Sequence, residues 1–125
     1  MRESKTIVSY RDKTEKIPCP FGDTVRIVTG GETSICNVHV VSVTDGNPHI
    51  HKGYNETYYV LSGKGTLTLD KENYDLRPGA VAVIPAGVLH SVVSTTEKSL
   101  EFIIFGTPGM SVADPGFIPE TLKSE

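Results

Sequence analysis

His49 and His51 flank Ile50 in an H-x-H triplet, and Glu56 follows five residues after the second imidazole. On an extended segment side chains alternate with a period of two, so both imidazoles project to one face while Ile50 points away. Two such histidines can share one metal ion. The intervening Lys52-Gly53-Tyr54-Asn55 reads as a loop, and Gly53 lets the chain swing the Glu56 carboxylate back toward the imidazoles. By itself the triplet is weak evidence, since two histidines on a strand also occur as ordinary packed residues. A carboxylate at this distance strengthens the metal reading. A second motif runs over 79–90 as G-x5-P-x-G-x2-H: Gly79 opens a strand after a turn, Pro85 and Gly87 close it, and His90 heads the next strand. The chain has only four His, and these motifs hold three of them.

The frame that must position these side chains is legible in the composition. The 125 residues fit a single domain. Val, Thr and Ile supply 36 of them, Ala and Leu only 11, and Gly and Pro 20. Stiff β-branched side chains favour pleated strands and Gly and Pro favour turns, so the chain is predicted to be all-β. Strands are predicted at 6–10, 24–29, 34–44, 56–61, 66–69, 74–76, 80–84, 91–94 and 100–105. The 66–69 and 74–76 segments form a hairpin, and Asp45-Gly46-Asn47-Pro48 marks a turn. Turns every 8–12 residues belong to a sandwich or small barrel. After Gly106 the chain becomes rich in Gly and Pro, with Phe117 and Ile118 available to close an opening or to meet a partner subunit.

Together the two motifs resemble the cupin superfamily. The first corresponds to His49-x-His51-x4-Glu56-x6-Gly63 and the second to 79–90; the motifs and the strands between them cover 46–94, and the strand pattern extends the likeness over about 35–106. The resemblance implies an all-β double-stranded β-helix, the cupin jelly-roll barrel. An N-terminal arm with leading strands would span 1–34, the barrel core 35–106, and a C-terminal tail packed on or over the barrel 107–125. It makes His49, His51, Glu56 and His90 the ligands of one divalent transition metal ion (Fe, Mn, Ni, Zn, Co or Cu). Such a donor set suits a borderline ion with positions left open for chemistry. Two positions depart from the family pattern: Val43 replaces a usual Gly before the first motif, and Ser94 replaces a usual Asn after His90. Neither is a metal ligand in the family.

Outside the motifs, Tyr58 shares a strand face with Glu56, which allows either an acid–base role or a place in the core. His39, in mid-strand, is read as a packed histidine first and as a catalytic pocket residue second. Tyr54 and Asn55 are placed at the barrel mouth, and Arg26 and Arg77 on the solvated surface rather than clamping an anion. Cys19 and Cys36 read as reduced thiols in or near the core. A net charge of −3 without a basic cluster argues against nucleic acid. Short apolar runs argue against a membrane span, and a polar start without a signal-like stretch points to the cytoplasm. The function implied is a metal-dependent enzyme on a small polar molecule, either an Fe(II) dioxygenase or a Lewis-acid sugar or carbonyl isomerase. A non-catalytic metal- or sugar-binding module is the alternative. A homodimer is a family expectation.

Overall fold

A computed structural model describes residues 6–19, 22–44, 49–51, 53–113 and 120–121, with only the backbone at 49, 120 and 121. The described strands are β1 (Lys16–Cys19), β2 (Gly22–Val28), β3 (Asn37–Val43), β4 (His49–Ile50), β5 (Asn55–Ser62), β6 (Gly65–Leu69), β7 (Glu72–Leu76), β8 (Val81–Ile84), β9 (His90–Ser94), β10 (Leu100–Thr107) and β11 (Glu120–Thr121). They form two antiparallel sheets. One has the order β1-β2-β3-β10-β5-β8, and the other β11-β4-β9-β6-β7. This is the cupin-type jelly-roll arrangement that the motifs imply.

Alternation along the strands explains why these segments pair and which face they bury. In β3, Asn37, His39, Val41 and Val43 are buried; in β5, Glu56, Tyr58 and Val60; in β10, Leu100, Phe102 and Ile104. The second sheet adds Leu67, Leu76 and Val92, and β8 adds Ile84, to one continuous apolar cluster. Tyr58 and Phe102 meet in it with ring centroids 4.5 Å apart. At the β6–β7 turn Asp70 takes a left-handed φ of 55°, a conformation that Asp tolerates better than most residues.

The N-terminal region differs from the sequence expectation. Residues 6–10 carry β-favouring side chains but form no strand, and a 3-10 turn at Arg11–Lys13 follows. The paired segment is β1, which joins β2 from Lys16↔Val25 to Cys19↔Gly22. Its Pro18 fits an edge strand, where one side needs no backbone donor. On the other sheet, β11 pairs with β4 at Glu120↔Ile50 and Thr121↔His49. The turn expected at 45–48, and Phe117 and Ile118, lie outside the described residues. No helix among the described residues is long and apolar enough to cross a membrane.

Candidate metal centre

His51 follows β4, Glu56 lies near the start of β5, and His90 opens β9, so three separate chain segments deliver one residue each. All three are buried, and their ligand atoms lie within 4.8 Å of one another. Glu56 Oε1 is 3.1 Å from His90 Nε2 and 3.5 Å from His51 Nε2. The two imidazoles stack with centroids 5.8 Å apart. The glycine of the second motif ties it to the first: Gly87 N–H donates to the His51 carbonyl at 2.8 Å. Gly87 sits at φ 86°, where a side chain would strain the backbone.

The donor set fits a transition metal ion. His90 Nδ1 lies 3.0 Å from the Val88 carbonyl, which can only accept, so Nδ1 carries the proton. In the neutral ring the lone pair is then on Nε2, aimed at Glu56. Two lone-pair atoms 3.1 Å apart need a proton or a metal ion between them. Ligands bound at 2.0–2.2 Å around one ion stand roughly 3.0 to 3.4 Å apart, close to the spacings found here. The Val88 carbonyl also gives His90 the kind of outer partner that fixes the ring of a metal-bound imidazole.

Around this cluster, Tyr58 faces His90 edge-on at 6.4 Å. Burial, then the Glu56 charge and a hydrogen bond to Glu56, push its phenol well above the usual tyrosine range. Tyr58 thus keeps its proton beside the carboxylate. His39 is buried on the same interior face; burial, then the charge of Arg26, lower its pKa to about 4, against an opposing pull from Glu56. It is a neutral imidazole at physiological pH.

Tyr54 and Arg26 do not lie where the sequence places them. Tyr54 is almost fully buried, edge-on to His51 at 5.6 Å, instead of lining an open mouth. Gly106 makes the room: a Cβ there would overlap the Tyr54 hydroxyl. Its neighbour Asn55 is exposed and bridges strands, accepting from the Ala86 N–H at 2.9 Å. Arg26 stands opposite His39 in the β2–β3 register, and directly opposed residues share a face. It therefore belongs to the interior face, whereas Arg77 is exposed as expected. The signal that misleads is Val25 and Ile27, which suggest that their face alone is covered; in fact both faces of β2 are covered, with Val25 and Val40 beside Arg11, Thr14 and Lys16.

The other motif positions resolve simply. Val43 is buried in the core, and the Ser94 hydroxyl donates to the Lys98 carbonyl at 2.5 Å, bracing the following turn. Cys19 and Cys36 are free thiols, half-buried. For His49 the backbone alone is described: it lies opposite His90 in the β4–β9 register.

Comparison with known proteins agrees with this architecture. A family model described as the cupin domain matches residues 37–106. An uncharacterized protein of Aquifex aeolicus is 34% identical over 82 residues, spanning 65% of this chain and 68% of that protein. Quercetin 2,3-dioxygenase of Bacillus subtilis is 36% identical over 89 residues, 62% of this chain but only 26% of the dioxygenase. The structure of KdgF from Halomonas sp. superposes with a TM-score of 0.73 at 20% identity, covering 83% of this chain and 94% of that one, a likeness of fold.

Proposed function

The chain belongs to the cupin family, and on that premise we propose that it is a metal-dependent enzyme acting on a small polar molecule. The observation that carries this reading is the convergence of His51, Glu56 and His90 on one buried point. His49 is the fourth ligand in this proposal, supported by its backbone position opposite His90. A bound divalent ion would supply either Lewis-acid polarisation of a carbonyl or, as Fe(II), activation of dioxygen. The chain's own residues do the rest. Tyr58 steadies Glu56 through its hydroxyl, and neutral His39 is available to accept a proton from substrate in an isomerase reaction.

The dioxygenase reading draws support from the identity shared with quercetin 2,3-dioxygenase; the Lewis-acid reading draws it from neutral His39 on the interior face. Metal analysis of protein purified without added metal separates them, followed by oxygen uptake with thiols, diketones and catechols. Iron together with uptake supports the oxygenase. Zinc, manganese or nickel without uptake supports the isomerase. A full complement of metal with neither oxygen uptake nor isomerisation of a panel of aldoses and ketoses would favour a binding module. We also propose a homodimer formed through the outer face of the six-stranded sheet. There Tyr59 opposes Val81, Thr57 lies between Phe105 and Val83, and Tyr59, Val81, Val83 and Phe105 are exposed. An apolar patch of this kind is typical of a subunit contact; a monomeric mass by light scattering would contradict it.

A further inference from the structure

One interior row of side chains crosses the six-stranded sheet. Arg26 opposes His39 across β2–β3, His39 opposes Ile104 across β3–β10, and Ile104 opposes Tyr58 across β10–β5. Three strand spacings separate the ends of this row, roughly 14 Å between backbones, and the side chains reach inward from both. Glu56 lies on the same face two residues from Tyr58. The His39 imidazole registers both ends at once, since the Arg26 and Glu56 charges act on it in opposite directions. Arg26 itself is half-buried, and its Nε is shut off from solvent without a hydrogen-bond partner. Among the described residues no carboxylate forms an ion pair with it. A buried N–H left unsatisfied is costly, and a ligand accepting from it would recover that cost.

We infer that Arg26 is the anion-recognising residue of the barrel, binding the carboxylate of a small organic acid whose other oxygen donors reach the His51–Glu56–His90 centre. The inference rests on the metal-dependent reading above and adds the substrate class. A guanidinium presents a planar fork that pairs with a carboxylate through two parallel hydrogen bonds. A neutral substrate would leave that fork unused on the interior face. Neutral His39, between the two ends, can hydrogen-bond the ligand without competing for its charge. Arg26 is thus a specificity-determining residue, with the chemistry taking place at the other end of the row.

The test uses manganese-loaded protein and three matched pairs of probes: malonate, succinate and glutarate, each against its diamide, by titration calorimetry. At least one acid should bind tenfold or more tightly than its diamide. Arg26→Gln should erase that preference and Arg26→Lys should restore part of it, while both keep the wild-type metal stoichiometry. Wild-type protein that holds manganese but prefers no acid over its amide overturns the inference. So does an Arg26→Gln protein that keeps both its fold and the preference, or inorganic phosphate binding more tightly than every acid. Failure of the wild-type protein to hold manganese, zinc or iron would instead overturn the metal-dependent reading itself, and the inference with it.

Discussion

The barrel interior has two halves built from the same strands. At one end His51, Glu56 and His90 crowd polar atoms together, with His90 and Glu56 at 3.1 Å. At the other Val41, Val43, Val60, Leu67, Leu100 and Phe102 pack as an apolar floor. Tyr58 joins the two, its ring tilted against Phe102 on one side and edge-on to His90 on the other. The difference shows where folding energy and chemistry separate. Burying the floor stabilises the fold, whereas gathering a carboxylate and imidazoles out of water costs energy unless a cation or a proton sits among them.

That contrast can be broken by substitutions at each end. Glu56→Gln keeps the shape of the polar end but removes its anion. It should cost at least a hundredfold in metal affinity, measured by competition with a chelator, while the metal-free protein loses little stability. Phe102→Ala should do the reverse. Emptying a fully buried aromatic site costs about 3–5 kcal/mol by denaturant unfolding, with metal stoichiometry intact in the folded protein. Equal damage to both properties from either substitution would mean that the two halves are not separable.

The pH dependence sharpens the comparison next. The folded pKa of His39, about 4, lies below the ordinary value of 6.5. The unfolded chain therefore takes up a proton near pH 6.5 that the folded chain refuses until about pH 4. Above pH 6.5 both states are neutral at this residue and nothing is lost. Between 6.5 and 4 stability declines, by up to about 3 kcal/mol, and below that range the difference is constant. His39→Gln should flatten this part of the profile, read by urea unfolding of metal-free protein at several pH values. An unchanged profile would show that His39 titrates alike in the folded and unfolded chains, contradicting the lowered pKa. The smallest effect belongs to Gly106→Ala. The new Cβ overlaps the Tyr54 hydroxyl and should cost about 1–3 kcal/mol. Because Tyr54 packs on His51, metal affinity should fall several-fold, linking the packing of one half to the chemistry of the other.

Much of this was legible in the sequence because two different periodic signals agree. The alternation of Val, Ile and Thr marks most of the strands, and the motif spacing brings His51, Glu56 and His90 together although 39 positions separate the first from the last. What escaped was any property set by long-range covering. Arg26 looks outward because its neighbours Val25 and Ile27 are apolar, yet the N-terminal residues cover that second face. Residues 6–10 have strand-like side chains but form no strand. Tyr54 lies in a loop, where burial is unusual, and only the missing side chain of Gly106, 52 positions away, admits its ring.

The most direct test is the metal content of the protein purified without added metal, beside His90→Ala prepared in the same way and shown by circular dichroism to be folded. The account predicts one transition metal ion per wild-type chain and none bound stoichiometrically by the variant. A metal-free wild-type protein that also refuses manganese, iron and zinc, or a folded variant that keeps a full ion, would contradict it.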